Sequence, residues 1–534
     1  MGEEIKNLIR EKGLLLEKEI YDWVNEIDNV DVAKNFLEQI ERVSGQKLIT
    51  KGVLNKNVGY VKEFVRNLPG QDKNLVEKVF INLGLSLEVR REKEVVEADQ
   101  SKPKEETKRQ DYRIFYSDTS PDKKLEVKDF TGHFRSRFQQ MQGFLMGRPE
   151  LQKNLISINK ISSDRTSLSI IGIVTEKRIT KNKNMIITLE DLTGEIKALV
   201  KFDRDEIFEK ADELQLDDVV GVKASGNRDI IFVHDILFPD AFLFEKTKFD
   251  EDINVAFISD THCGSGRHLS KSFNKFLEWI NGDDPVAGKI KYLFFVGDSA
   301  DGVGIFPGQE NELKLKSMGE QYDLVASYLK RIPKHITIFL CPGQHDATRV
   351  AEPQPIISRR YAHQLYELEN VVLVTNPTLV KLLEGDKEFK VLMYHGASMH
   401  VFINEIKALR LMKAQLCPAK AVEQMLKRRH LAPQHGISPS IVYTPNAEAD
   451  PLVISEVPDV LCTGEMHRLD ISSYNGVLII TGSCWQARTP FEEKVGNEPD
   501  PCKVPVLNLK TRELKLFDFR DDEEVDENGV WRGE

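Results

Sequence analysis

Apolar positions in the first 90 residues recur at helical spacing: Ile5, Leu8, Ile9, Leu14, Leu16, Ile20 and Trp23, then Val32, Phe36, Ile40 and Val43. Asn57-Val58-Gly59 and Leu68-Pro69-Gly70 punctuate the run. The pattern predicts a small all-α domain over 1–90, of the kind that docks on another protein. It then stops. From 91 to 124 the chain is charged, proline-bearing and poor in large hydrophobes, as in EADQSKPKEETKRQD, which predicts a flexible, solvated linker. Phe134, Phe138, Met141 and Phe144 restore the helical period on one face and predict a helical connector over 125–164.

Between 165 and 245 the pattern turns β-branched and strand-like. SLSIIGIVTEKRI, NMIITLEDL and EIKALVKF read as strands, with a tight turn at Asp191-Leu192-Thr193-Gly194. A short helical pattern at 205–214 leads to DVVGVKASGNRDIIFVHDILF, two further strands around Gly226-Asn227. Five strands with one interposed helix predict a small Greek-key barrel of the OB type. Such barrels often grip single strands with a basic groove and stacking aromatics. Lys177, Arg178, Lys181 and Lys183 are present but aromatics are few, so a packing role stands beside a DNA-gripping one. From 246 to 534, apolar strands alternate with helical stretches: VAFIS (255–259), YLFFVGD (292–298), ITIFLCPG (336–343), VLMYHG (391–396), DVLCTGE (459–465) and VLIITGS (477–483). The expected fold class is multidomain α/β, with chemistry on loops at the carboxyl ends of strands.

Composition narrows the function classes. A chain of 534 residues exceeds one ordinary domain. A formal net charge of −11 excludes a wholesale basic nucleic-acid binder, so any DNA contact must be a local patch, a metal centre or a partner chain. All six cysteines follow residue 260 and none forms a CxxC pair, which argues against a disulfide framework or a zinc knuckle. No apolar run approaches the ~20 residues that span a bilayer, and no signal peptide is visible, so a cytoplasmic protein without membrane contact is expected. Ten of the twelve histidines follow residue 250, which places the chemistry in the last region.

Five strand ends there finish in metal-binding residue types: Asp260-Thr261-His262, Asp298 with Asp301, Gln344-His345-Asp346, His395, and Glu465 with His467. A lone Asp or His after a strand usually caps a helix or meets solvent; five in one α/β region are hard to explain as caps. The ordered set resembles the calcineurin-like metallophosphoesterase superfamily, with its D-x-H, GD-x-x-D/N, GNH-D/E, lone His and GH-x-H motifs. That resemblance implies a β-sandwich flanked by helices over 246–534 and two divalent cations. Asp260, His262 and His467 would hold the first, Asp298 would bridge, and Gln344, His395 and Glu465 would complete the second. By the same resemblance His345 would serve the phosphate, with Asp346 orienting its ring, and Asp301 would support the loop or meet substrate. Mixed carboxylate and imidazole ligands suit Mn²⁺ first, with Fe, Zn²⁺ or Mg²⁺ as alternatives. Gln344 stands where the superfamily has Asn and Glu465 where it has His, so both departures fall on the second cation.

DGVGIFPGQENEL after Asp298, AEPQPIIS (351–358) and YELENVVLVTNP (366–377) resemble the small B subunits of replicative DNA polymerases, as does the order of domains. Retention of most ligands makes the chain similar to the archaeal D-family small subunits. The resemblance implies a metal-dependent 3′→5′ exonuclease in DNA replication. It also implies a large polymerase subunit as partner, primer 3′ ends and single strands as substrate, indirect contact with a sliding clamp, and nucleoid association. Two alternatives stay open: a catalytically weakened scaffold, and a stand-alone metallophosphatase or repair nuclease.

Overall fold

The computed structural model describes residues 111–119, 124–161, 165–434 and 442–524, with scattered positions between 9 and 49. The chain divides into two compact units, residues 1–107 and 108–534. Most of the expected helical domain and linker lies outside the described residues. Two findings correct expectations made there. Leu15–Leu16 and Leu48–Ile49 form a short parallel strand pair, so the first unit is not purely helical; two residues per strand are too few to show a period. Tyr112–Tyr116, inside the expected linker, is a strand paired antiparallel with Thr378–Glu384. Its five residues are aromatic, aliphatic or long-chained, and the charged surroundings hid them.

Two six-stranded sheets dominate the second unit. The first runs Val371–Leu373, Thr337–Cys341, Ile290–Val296, Asn254–Ile258, Lys503–Asn508 and Leu514–Asp518, the first four being parallel. The second runs Asp470–Tyr474, Val477–Thr481, Val460–Thr463, Lys387–Met393, Thr378–Glu384 and Tyr112–Tyr116. They face each other across Val255, Phe257, Phe294 and Phe339 on one side and Val380, Phe389, Val391 and Ile480 on the other. The alternate residues Ala256, Ile258, Leu293 and Phe295 pack outward, with Phe273, Phe276 and Val325 of the helices Ser270–Ile280 and Met318–Leu329. Leu392, Leu461 and Ile479 do the same toward Val422 and Met425 of the helix Ala419–Arg428. Both faces of the central strands are therefore apolar, which is why they read as unbroken hydrophobic runs. The carboxyl ends of the parallel strands in both sheets meet at one rim.

A closed five-stranded barrel follows the order Arg165–Ile179, Met185–Asp191, Gly194–Val200, Ile231–Leu237 and Val219–Gly226. The helix Asp205–Asp212 sits between its third and fourth strands in sequence. Asp191 fixes the tight turn by accepting from the amides of Thr193 (2.7 Å) and Gly194 (3.1 Å). The barrel docks on the sandwich through a buried ion pair, Arg428 Nε donating to both carboxylate oxygens of Asp218 at 2.9 and 3.0 Å. The chain between them is knitted down as well, with Asp240 and Ala241 amides donating to the Lys427 and Leu426 carbonyls.

The helix Val127–Met146 carries Phe138 and Met141 into the core, and also buries Arg137 completely. Arg137 donates to Asp450 Oδ2 (2.6 Å), the Pro433 carbonyl (2.5 Å) and the Tyr443 hydroxyl (2.9 Å). His430 accepts the Ala432 amide at Nδ1, so its Nε2–H donates to the same Asp450 oxygen at 2.8 Å. Burial, with the Arg137 charge beside it, pushes the His430 imidazole down to about 4. A folded chain thus keeps this ring neutral where an unfolded one would protonate it. Its contribution to stability is complete above about pH 6.5 and declines as pH falls toward 4, a loss of about 3 kcal/mol. Urea unfolding between pH 7 and 4.5 should show that decline in the native chain and a shallower one in His430→Gln; equal slopes would contradict it.

Candidate metal centre

Five loops at the sandwich rim bring the expected residues together. Their backbones are unusual: Asp260, His262, Asp298, Glu465 and His467 all adopt positive φ, between 45° and 68°. Side-chain-bearing residues hold such a conformation at a cost of about 1–3 kcal/mol each, and only where the surroundings enforce it. Here the loops lace one another. The Asp260 amide donates to the Gly297 carbonyl and the His262 amide to the Asp298 carbonyl, both at 3.1 Å. The Glu465 amide donates to Asp260 Oδ1 (3.1 Å) and the His345 amide to Asp298 Oδ1 (2.8 Å). Glycine makes the close approach feasible: a Cβ on Gly343 would lie 2.2 Å from Asp298 Oδ1 and 2.7 Å from His395 Nε2.

Hydrogen bonds fix where each imidazole aims. His262 Nδ1 is held by Asp301 Oδ1 and His467 Nδ1 by Glu492 Oε1, each at 2.9 Å, so the two Nε2 atoms face each other at 3.0 Å. His395 Nδ1 donates to the Val296 carbonyl (2.9 Å), which leaves Nε2 3.2 Å from both Asp298 Oδ2 and Glu465 Oε2 without hydrogen-bond geometry to either. Asp260 Oδ2 is likewise buried without a hydrogen-bond partner. Lone pairs of nitrogen and oxygen are thus gathered in a dry site and require positive charge between them. The protons show the same demand. Burial opposes charge on His467, yet Glu492 and Asp260 push it up to about 9; His395 rises well above the usual range beside Asp298 and Glu465.

Candidate donor atoms of Asp260, His262 and His467 lie within 4.8 Å of one another, as do those of Asp260, Asp298 and His395. These mixed oxygen and nitrogen sets fit two divalent cations. Glu465 joins the second set through His395, and His400 Nε2 lies 3.4 Å from its other oxygen. An open cleft of about 600 Å³ adjoins the site, with Ile305, Phe306, Ile403 and Met466 among its apolar lining.

Two expectations are corrected. Asp346 does not orient His345. Its carboxylate accepts from the Ser299 hydroxyl (2.7 Å), the Tyr322 hydroxyl (2.9 Å) and the Gly343 amide (2.9 Å), tying loops together. The His345 ring is aimed instead by donation from Nδ1 to the Asp301 carbonyl at 2.6 Å, which turns Nε2 outward. Gln344, expected as a carbonyl ligand, has Oε1 3.0 Å from Gln354 Nε2 and a buried Nε2 with no hydrogen-bond partner. Sequence reasoning missed Glu492, although Thr489-Pro490-Phe491-Glu492 reads as a capping box and Glu492 does cap the helix Pro490–Val495. It left Asp301 between loop support and substrate contact; the structure makes it the anchor of His262.

The family model for the B subunit of DNA polymerases alpha and epsilon matches residues 255–470, a span that includes every expected ligand and both His345 and Asp346. The DNA polymerase II small subunit of Methanothermobacter thermautotrophicus is 38% identical over 402 residues, covering 74% of this chain and 80% of the relative. The chain belongs to the family of archaeal DNA polymerase II small subunits. The Thermoplasma acidophilum small subunit is 34% identical, covering 77% of this chain and 81% of its own length. The Pyrococcus furiosus small subunit is 35% identical over 74% of this chain, which spans 64% of that relative. A solved archaeal phosphodiesterase overlaps 50% of the chain at 12% identity and a TM-score of 0.25, too low to support an argument.

Within this small-subunit chain, Gly343→Ala drives a methyl group into Asp298 and His395. Elemental analysis of Mn²⁺-equilibrated protein should show at least one cation fewer per chain than the native form. Unchanged metal content would contradict the geometry described above.

Proposed function

We propose that this small subunit is a metal-dependent 3′→5′ exodeoxyribonuclease that trims primer ends and single strands while a large polymerase subunit carries synthesis. One observation carries the reading: buried Asp and His side chains from five strand ends aim unpaired lone pairs into one cleft, a set suited to phosphodiester hydrolysis. The sandwich is then of the calcineurin-like phosphoesterase type and the barrel an OB fold. Asp260, His262 and His467 would hold one cation, with Asp298, His395 and Glu465 around the other; Mn²⁺ suits both, with Fe, Zn²⁺ or Mg²⁺ as alternatives. When bound, such a pair supplies an activated water and neutralises charge on the phosphoryl oxygens.

The chain's own residues do the rest. Asp301 and Glu492 hold His262 and His467 in the tautomer that keeps Nε2 free. His345, with Nδ1 committed to the Asp301 carbonyl, can carry a proton on Nε2 and deliver it to the leaving 3′ oxygen. The apolar lining at Ile305, Phe306 and Ile403 gives a nucleoside a surface to rest on and excludes water from one side of the cleft. Among the described residues no helix is long and apolar enough to cross a membrane. Nucleoid association and indirect contact with a sliding clamp follow from a place in the replicative polymerase.

A weakened scaffold is the second reading, favoured by the added carboxylate at Glu465 and the turned amide of Gln344. The assay that separates them uses the complex with its large subunit and a primer labelled at its 5′ end and mismatched at its 3′ end. Shortening in Mn²⁺ supports the nuclease; an intact primer in a polymerising complex with every divalent cation supports the scaffold. His345→Ala should lower the cleavage rate by about 10²–10⁴ while leaving metal content unchanged. Loss of bound metal in that variant would show that His345 is a ligand.

A further inference from the structure

Behind the second half of the metal centre runs a chain of buried amides whose polarity can be read from one end to the other. It starts at the backbone N–H of His395, which can only donate, and which reaches Asn376 Oδ1 at 2.9 Å. Asn376 must then offer its NH₂ in the other direction, and Nδ2 meets Gln354 Oε1 at 2.7 Å. Gln354 is fixed in turn, and its Nε2 stands 3.0 Å from the Gly343 carbonyl, 3.0 Å from the Arg349 carbonyl and 3.2 Å from the Thr348 hydroxyl. Two carbonyl oxygens independently demand a nitrogen at that point. Reversing Gln354 would set its oxygen against both of them. Amide orientation is settled by such networks, and here the network leaves one solution.

The atom of Gln344 that meets Gln354 Nε2 at 3.0 Å is therefore Oε1, since two NH₂ groups cannot face each other without loss of a hydrogen bond. Asn376 and Gln354 are fully buried, so water cannot rescue the alternative arrangement. The other end of Gln344 is the NH₂, buried without a hydrogen-bond partner in the lining of the cleft that holds Asp298, His345 and Glu465. An NH₂ cannot ligate a cation; it donates to anionic oxygen. The Glu352 carboxylate, which takes the Tyr394 hydroxyl at 3.0 Å through Oε2, keeps its own Oε1 unpartnered.

We propose that Asn376 and Gln354 are positioning residues that turn the Gln344 carbonyl away from the second cation, so that Gln344 serves this site as a hydrogen-bond donor to substrate phosphate. This rests on the two-cation reading above and sharpens it: the second cation is held by Asp298, His395 and Glu465, with Gln344 recognising the anion. The relay also joins the His395 limb of the site to the Gly343-Gln344 limb, so a change at Gln354 is felt at both.

Mn²⁺ binding to the purified full chain, by calorimetric titration and by electron paramagnetic resonance, tests this without recourse to activity; thermal melts confirm folding. Gln344→Met removes donor and acceptor at similar length. It should leave both Mn²⁺ affinities unchanged while slowing phosphodiester cleavage. Gln344→Glu keeps one oxygen on Gln354 and puts an anionic oxygen where the NH₂ stands, and should tighten the second site about tenfold or more. Gln354→Met frees the Gln344 amide to turn its carbonyl inward, so second-site affinity should rise, and the rise should vanish when Gln344→Met is added. Should Gln354→Met fail to fold, the two Gln344 variants still decide. A Gln344→Met chain whose second Mn²⁺ weakens by about tenfold or more has lost a carbonyl ligand, and the proposal falls while the two-cation reading stands. A native chain that takes up no Mn²⁺ overturns both.

Discussion

Carboxylates and imidazoles packed side by side in a dry rim repel one another through their lone pairs unless positive charge stands between them. That constraint organises the rest of the molecule. Asp260 and His395 are fully buried, and Asp298 and His262 nearly so, so water cannot screen them. The strands beneath must therefore be rigid enough to hold the groups together. The two sheets supply this by burying both faces: Phe257, Phe294 and Phe339 lock the interior, while Phe273, Phe276 and Trp485 back the outer layer. Positive φ at five of the ligand-bearing positions is the local expression of the same force, a strain that the packed sandwich sustains.

Polarity is then managed outward, shell by shell. Asp301 and Glu492 orient His262 and His467, and each carboxylate is itself held: Asp301 by Gln309 and Gln486, Glu492 by Thr489 and its helix start. Asp346 accepts four donors from three loops and never meets the cleft chemistry directly. The barrel and the helix Val127–Met146 are anchored by similar means, Arg428 on Asp218 and Arg137 on Asp450. Removing one member of such a pair leaves the other charged and alone, a loss of about 3–5 kcal/mol. Buried arginines thus join the barrel, the helix and the sandwich within a single unit of the chain.

Much of this was legible in the amino-acid sequence because the signals are local. The strands 254–258, 290–296 and 337–341 are continuous apolar runs, and the ligands follow each run within a few residues. The barrel strands 185–191 and 194–200 announce themselves through the Asp191 turn. What stayed hidden depends on contacts between distant positions. Arg137 reads as a polar residue on a helix face; its burial follows from Asp450, 313 residues later. The strand at 112–116 is short and set among charges, and it is completed only by pairing with 378–384. Gln354 and Asn376 carry no motif at all, since their role exists only as a sequence of donors and acceptors. Asp346 was assigned to His345 because the two are adjacent in the chain, whereas adjacent side chains in a loop need not face each other.

The central claim is that the rim gathers lone pairs for two cations sharing Asp298. Crystals of the native chain equilibrated with Mn²⁺, measured at the manganese absorption edge, test it most directly. The account predicts two anomalous peaks about 3.5–4 Å apart flanking the Asp298 carboxylate, one beside Asp260, His262 and His467 and the other beside His395 and Glu465. An absence of anomalous density at the rim, or a single peak bound away from Asp298, would contradict it.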